Sequence, residues 1–381
     1  MIDRTIQIDK LLKPKKVLIL YGARRVGKTT LLKEFLSRST LKYRIDSGDN
    51  IRIQHLFDSQ DFSALSDYAE GYELIAIDEA QQIKNIGIGL KILIDNHPAV
   101  RIVVTGSSSF DLSQSVGEPL TGRKKTVVLY PISFIELHSL YNKQELADQL
   151  ETFLRFGLYP EVVTTKSKKG KIEILRELVD SYLLKDILSL EKVKGSKQLL
   201  DLLKLLAFQI GNEVSWTELA SQVRLDVKTV ARYLDILEKG FVIKRVGGLS
   251  RNLRKEITSK AKYYFYDIGV RNAVVSQFNT LDDRNDVGGL FENFIAMERL
   301  KANAYLRRLG DLYFWRTYDG QEIDLVEERN GKLHGYEIKW SANVRLKIPK
   351  LWKTTYPKAT LSLINHDNFL PFILEGTRKL N

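Results

Sequence analysis

Residues 22–29 read Gly22-Ala23-Arg24-Arg25-Val26-Gly27-Lys28-Thr29, an unbroken G-x-x-x-x-G-K-T sequence. Before it lies an apolar, β-branched run, Lys16-Val17-Leu18-Ile19-Leu20-Tyr21. After it comes a run with helical apolar spacing that starts Thr30-Leu31-Leu32-Lys33-Glu34-Phe35-Leu36. Strand, glycine turn and helix in this order constrain the chain more than any other stretch. The turn must present bare backbone N–H groups at a helix start, and only glycine allows that approach without a Cβ clash. Such a seat takes a phosphate chain, with Lys28 reaching the β- and γ-phosphates and Thr29 ligating Mg²⁺ through its hydroxyl. Gly22, Ala23, Arg24, Arg25, Val26, Gly27, Lys28, Thr29 and Thr30 are therefore expected to hold ATP or GTP.

A second apolar run, Leu74-Ile75-Ala76-Ile77, ends in Asp78-Glu79. Apolar residues without polar alternation fit a parallel strand buried on both faces. At the carboxyl end of such a strand, beside the phosphate loop, Asp78 would hold the hydration shell of Mg²⁺. Glu79 would polarise an attacking water, so hydrolysis is the expected reaction. A third run, Val100-Arg101-Ile102-Val103-Val104, ends in Thr105-Gly106-Ser107-Ser108-Ser109, where Thr105 or Ser107 is expected to sense the γ-phosphate. Phosphate loop, acidic strand end and polar strand end, in that order, resemble the AAA+ superfamily of P-loop ATPases over about the first 160 residues. The resemblance implies ATP as the nucleotide, and an arginine beyond the third strand that stabilises charge on the transferred phosphoryl group. Arg123, in Leu120-Thr121-Gly122-Arg123, is the matching residue.

With 381 residues the chain exceeds what one compact core holds, and about two to three domains are expected. Cysteine is absent, which excludes disulfides and thiolate zinc sites and makes a reducing cytoplasm the simplest home. No stretch approaches the roughly 18 uninterrupted apolar residues that a membrane helix needs. The charged start, Met1-Ile2-Asp3-Arg4, does not read as a signal peptide. The net charge of +12 is uneven: residues 166–262 hold 21 Lys and Arg against 12 Asp and Glu, an excess of 9. A basic domain between two others suggests a polyanionic partner, nucleic acid first and DNA before RNA, although a solvated basic face would look the same.

The polar, basic stretch Thr164-Thr165-Lys166-Ser167-Lys168-Lys169-Gly170-Lys171 reads as a linker. Helical patterns follow at 199–210, 216–223 and 228–239, the last two joined by Arg224-Leu225-Asp226, with Asp226 placed to cap the third. Two strand-like runs, Phe241–Val246 and Lys262–Tyr266, flank a loop carrying Arg251, Arg254 and Lys255. The outline is a winged helix. On its third helix Val230, Tyr233, Leu234 and Leu237 should face the core, leaving Lys228 and Arg232 for phosphates or bases.

Near the carboxyl end, a helix around Leu290–Ala296 precedes strands at 312–315, 322–326 and 336–340, then a helix and a strand at 360–364, an αβββαβ order. The turn Arg329-Asn330-Gly331-Lys332 brings Asp324 and Glu337 to adjacent strands, and Lys339, two residues on, shares a face with Glu337. Two carboxylates and an ammonium on a partly buried face are costly unless something uses them. A divalent metal would satisfy the acids, and Lys339 would help activate a hydrolytic water. An Asp followed by Glu-x-Lys resembles the PD-(D/E)XK nuclease superfamily, and Glu292 on the preceding helix would complete a shell for Mg²⁺ or Mn²⁺. A salt-bridge ladder across a surface hairpin is the plainer reading of the same residues.

Taken end to end, the chain resembles bacterial and archaeal ATPases that join an AAA+ domain to a DUF4143 domain. The resemblance is carried by 155–161 (Arg155-Phe156-Gly157-Leu158-Tyr159-Pro160-Glu161), by Tyr263-Tyr264-Phe265-Tyr266-Asp267-Ile268-Gly269 and by Asp319-Gly320-Gln321-Glu322-Ile323-Asp324. Leu158 stands where a second glycine is usual. The expected fold is α/β: a P-loop AAA+ domain over 1–165, a helical and winged-helix domain over 166–270, and a nuclease-like αβββαβ domain over 271–381. Two functions fit, an ATP-driven machine acting on DNA with a metal-dependent nuclease-like domain, or a nucleotide switch whose last domain binds a protein and cuts nothing. A homo-oligomer is compatible with both.

Overall fold

The apolar runs around the phosphate loop build one parallel sheet from β1 (Val17–Tyr21), β2 (Tyr43–Ser47), β3 (Leu74–Asp78), β4 (Arg101–Gly106) and β5 (Lys124–Val128), ordered β2-β3-β4-β1-β5. β1 is buried along its whole length and β3 up to Ile77, as near-continuous apolar strands require in a sheet covered on both faces. The short α1 (Ile8–Leu11) precedes the sheet, and α2 (Lys28–Arg38), α3 (Ile51–Ser59), α4 (Phe62–Ala69) and α5 (Ile86–Asn96) lie between the strands. Ile53, Phe57, Leu65, Ile86 and Leu90 from the last three pack on Val17, Ile75 and Ile102. Because the strands run the same way, the loop after β1, Asp78 ending β3 and Thr105 near the end of β4 collect at one edge.

The computed structural model describes residues 2–107, 119–183, 196–250 and 260–377. Ser108, Ser109, Arg251, Arg254 and Lys255 lie outside the described residues. The chain divides into two compact units, Arg4–Tyr130 with Lys239–Phe241, and Met1–Asp3 with Pro131–Glu238 and Val242–Asn381.

The second unit differs from the expected division at 165/166 and 270/271, since both boundaries fall inside it. Among its helices are α6 (Leu150–Phe156), α7 (Lys168–Glu177), α8 (Ser196–Phe208), α9 (Trp216–Val223), α10 (Val227–Lys239), α11 (Ile268–Val274), α12 (Val287–Tyr305), α13 (Lys350–Thr355) and α14 (Phe369–Ile373). Its strands are β6 (Glu213–Val214), β7 (Ile243–Gly248), β8 (Ala261–Phe265), β9 (Asp311–Arg316), β10 (Glu322–Arg329), β11 (Lys332–Ile338) and β12 (Thr360–Ile364). They form a single sheet ordered β12-β11-β10-β9-β7-β8-β6. Parallel pairing of β7 with β9, Gly247 beside Tyr313 and Gly248 beside Phe314, fuses the two expected domains. The expected linker is a helix start instead: Ser167 accepts from Gly170 N at 3.0 Å and the buried Lys171 donates to the Val162 carbonyl at 2.6 Å.

Two of the stretches that carried the family resemblance meet here. Asp267 caps α11 through Val270 N and also accepts from Leu158 N at 2.6 Å. Gly157 has φ 71°, and a Cβ on it would sit 2.1 Å from Asp267 Oδ1. Leu158, where glycine is usual, is buried with its side chain in the core. Helix α12 is buried on nearly every side, so each polar residue on it needs a partner. Asn293 supplies one by imitating a strand, accepting from Phe265 N at 2.7 Å and donating to Phe265 O at 2.8 Å. No helix among the described residues is long and apolar enough to cross a membrane.

Candidate nucleotide site and a carboxylate–lysine cluster

Backbone strain fixes the shape of the phosphate loop. Gly22 and Gly27 have φ of 156° and 97°, and a Cβ on Gly22 would lie 2.1 Å from the Leu129 carbonyl oxygen. Helix α2 begins at Lys28, so the unpaired N–H groups of its first turn adjoin the loop. Lys28 is only 4% exposed, and its Nζ donates to the carbonyls of Gly22 (3.0 Å) and Ala23 (2.9 Å). Burial pushes this ammonium down to about 8, against the pull of Glu79 and Asp78 and with Arg24 adding to the push.

The acidic pair is braced from both sides. Thr29 Oγ1 donates to Asp78 Oδ2 at 2.7 Å, and Thr105 Oγ1 donates to Asp78 Oδ1. Thr105, expected as a sensor, also accepts from Glu79 N at 3.2 Å, so its hydroxyl is engaged by the two acidic residues. Glu79 sits in the left-handed region at φ 50°, and Gly48 allows this because a Cβ there would come within 2.2 Å of the Glu79 carbonyl. Gln81 Nε2 donates both to Glu79 Oε2 and to Ser107 Oγ, the latter at 3.0 Å. Hard oxygen donors from Thr29 and Asp78 at the mouth of the loop fit an Mg²⁺ ion accompanying a nucleotide.

The hairpin of β10 and β11 turns at Asn330 and Gly331, both at positive φ (51° and 70°), as a two-residue Asn-Gly turn requires. Leu325 pairs with Tyr336, which sets Asp324 opposite Glu337. Against β9, the strand shifts register between Ile323 and Val326, an irregularity that re-aims Asp324. Asp324 Oδ2 accepts from Ile338 N at 2.8 Å and from Lys339 Nζ at 3.1 Å, and Lys339 reaches Glu337 Oε1 at 2.8 Å. Glu292 on α12 joins them through Lys262 on β8, whose Nζ lies 2.8 Å from Glu292 Oε1 and 3.7 Å from Asp324 Oδ1. Tyr264 donates its hydroxyl to Glu292 Oε1 at 2.6 Å.

Asp324, Glu337, Lys339 and Glu292 thus converge, but lysine holds the carboxylates where a metal was expected. Lys262 lies between Glu292 and Asp324, and among the described residues no group of three or more His, Cys, Asp or Glu is arranged to hold a metal ion. In this structure Glu292, Asp324 and Glu337, the residues expected to form an Mg²⁺ or Mn²⁺ shell, are joined by lysine ion pairs. Burial pushes Glu292 up to about 7, with Lys262 opposing and Asp324 assisting. Burial and Asp324 also raise Glu337. For Lys262, burial pulls the other way but Glu292 and Asp324 outweigh it and raise the ammonium.

Residues 14–138 match the family model of an AAA domain, and residues 287–372 that of a domain of unknown function, DUF4143. A second domain of unknown function, DUF8612, matches residues 147–281. An uncharacterized protein of Mycobacterium tuberculosis is 30% identical over 341 residues, 88% of this chain and 73% of the relative. The chain belongs to this family of AAA–DUF4143 proteins. A Haemophilus influenzae member, also uncharacterized, is 27% identical over 358 residues, 86% of this chain and 84% of its own. Among solved structures, the replication initiator DnaA bound to AMPPCP and single-stranded DNA matches at 15% identity and TM-score 0.27, over 59% of this chain and 83% of that one. A STAND protein with a tetratricopeptide repeat sensor from Pyrococcus horikoshii matches at 11% identity and TM-score 0.27, over 77% of this chain and 45% of that one. Neither likeness is close enough for structural detail to carry over.

The AAA domain supports ATP as the nucleotide of the loop. Arg123 is not brought to it. It precedes β5, its carbonyl accepts from Val17 N at the start of β1, and its side chain pairs with Asp95 at 3.0 Å. The length of β1, roughly 15 Å, separates it from the phosphate loop, so within one chain it cannot be the finger. Sequence reading missed Gln81, Lys262 and Tyr264. Gln81 was legible two residues after Glu79, and Lys262 as the one ammonium in the buried aromatic strand Ala261–Phe265.

A pH dependence follows from Lys28. Phosphate favours the charged ammonium, so ATP affinity should be complete below about 8 and fall toward tenfold per pH unit above it. Titrations from roughly pH 7 to 10 check this, with Lys28→Arg, charged throughout, expected to lose the slope. A flat wild-type profile would exclude Lys28 as the titrating phosphate ligand.

Proposed function

We propose that this protein binds ATP in the loop Gly22–Thr30 and hydrolyses it, using the energy of the cycle to act on DNA. One observation carries the reading. Lys28 is a buried ammonium whose hydrogen-bond acceptors are neutral carbonyls, with Glu79 and Asp78 acting on its charge too weakly to offset its burial, an arrangement that a bound anion would relieve. A phosphate chain supplies that anion, with loop N–H groups directed at it. Mg²⁺ held by Thr29 and Asp78 would supply charge neutralisation at the β- and γ-phosphate oxygens. Glu79 would orient and deprotonate the attacking water, Gln81 would hold the Glu79 carboxylate, and Thr105 would keep Asp78 in place. Arg123 can serve as a finger only in a second copy, which ties that role to a homo-oligomer. Phosphate release by the purified chain with ATP and Mg²⁺ tests the reaction; ATP bound but never cleaved would reduce the protein to a nucleotide-binding module.

For DNA, we read α8, β6, α9, α10, β7 and β8 as a winged helix. Support comes from α10, where Val230, Tyr233, Leu234 and Leu237 are buried and Lys228 and Arg232 are exposed. Asp226 caps it through Thr229 N at 2.9 Å. Replacing Lys228 and Arg232 together by alanine should weaken duplex binding about tenfold and reduce the salt slope by roughly one to two. Competition with RNA identifies the preferred polyanion. Indifference of affinity to both changes and to salt would favour a protein-docking helix pair.

For the carboxylate cluster, the lysine pairing supports a non-catalytic role, as in an ATP-dependent switch. Convergence of Asp324, Glu337, Lys339 and Glu292 supports the second reading, metal-dependent phosphodiester cleavage with Lys339 activating the water. Incubating the chain with plasmid, single-stranded DNA and RNA, with and without Mg²⁺ or Mn²⁺, separates the two.

A further inference from the structure

Arg4 reaches the phosphate loop from far away in sequence. Its Nη1 donates to the Val26 carbonyl at 2.7 Å and its Nη2 to the Tyr130 carbonyl at 2.6 Å. Val26 lies inside the loop, and Tyr130 follows β5 at the same edge of the sheet. The residue before Tyr130 braces the other end of the loop, since Leu129 N donates to Tyr21 O at 2.7 Å and its carbonyl fills the space a Cβ on Gly22 would need. The 129–130 segment therefore fixes the loop twice, directly at Gly22 and through Arg4 at Val26.

The second anchor bears on binding because of peptide geometry. In a planar trans peptide the C=O and N–H point in opposite directions. Holding the Val26 oxygen on Arg4 aims the N–H of Gly27 away from Arg4, toward the side open to a phosphate. Gly27, at φ 97°, carries no side chain that would hold this peptide, so the guanidinium is the charged donor that sets its carbonyl. A charged donor on the carbonyl also strengthens the N–H of the same peptide as a donor.

We propose that Arg4 is a positioning residue for ATP, setting the Val26–Gly27 peptide so that the Gly27 N–H meets the phosphate chain. The proposal rests on the ATP site at Gly22–Thr30. Equilibrium titration with ATP and steady-state hydrolysis test it on the full chain. Arg4→Ala should raise Kd and KM for ATP roughly 10- to 100-fold while kcat falls much less, and should shift the amide resonance of Gly27. Arg4→Lys, which keeps the charge but grips a single carbonyl, should recover part of the affinity. Wild-type KM in Arg4→Ala overturns the proposal. So does a loss of kcat equal to the loss of affinity with no recovery in Arg4→Lys, the pattern of a merely structural residue. Lys28→Ala with unaltered ATP affinity would instead remove the ATP site itself, so the two failures are distinguishable.

Discussion

Lys28→Ala should abolish tight ATP binding, while Glu79→Gln should keep ATP bound and lower turnover about 10²- to 10³-fold. The difference follows from what each group does in the site. Lys28 is buried on two loop carbonyls, and its charge would meet the β- and γ-phosphates. Removing it takes away ground-state and transition-state binding together, so affinity collapses. Glu79 lies one residue beyond Asp78, with its backbone bonded to Thr105 and its carboxylate to Gln81, so the amide variant preserves shape and loses only basicity. Nucleotide affinity and phosphate release, measured on both variants, check the assignment. Wild-type turnover in Glu79→Gln would mean that another group activates the water. Gln81→Ala, which frees the carboxylate without removing it, should give an intermediate kcat and leave Kd near wild type.

The nucleotide site was legible because its parts are local. A buried strand, a glycine turn and a helix start occupy consecutive residues, and parallel strand polarity then brings Asp78 and Thr105 to the same edge. Arg4 was not legible, since it binds a backbone carbonyl and no side-chain pattern marks such a partner. Whether Arg123 faces its own loop or that of a second copy was not legible for a related reason: position after a strand in sequence does not say which end of the sheet the residue occupies. The Asn330-Gly331 turn set the register that places Asp324 opposite Glu337, and this too is local chemistry. Lys262 comes from a strand on the far side of β7 and β9, so its arrival depended on a sheet continuing across the expected domain boundary.

Lys262→Met should destabilise the protein strongly and make its stability responsive to Mn²⁺. Methionine nearly conserves the volume but leaves Glu292 and Asp324 buried without the cation between them. Breaking a buried pair in this way costs about 3–5 kcal/mol, a fall of roughly 10 °C in Tm for a unit of this size. The sign of the pH dependence is fixed by Glu292, raised by burial from its ordinary value to about 7. A folded state that holds a proton more tightly than the unfolded chain loses stability as pH rises, here between about 4.5 and 7, and is level above that window. Without Lys262 the Glu292 carboxyl should rise further and the decline should extend to higher pH, whereas Glu292→Gln should remove it. In the Lys262→Met background a divalent ion can take the vacated position between the carboxylates, so Mn²⁺ should restore part of the lost Tm while leaving the wild type unmoved. Thermal unfolding across pH, with and without Mn²⁺, checks each part. If wild-type protein is itself stabilised by Mn²⁺, and Asp324→Ala or Glu337→Ala removes that response, lysine is not the resident cation and metal-dependent cleavage becomes the reading of the cluster.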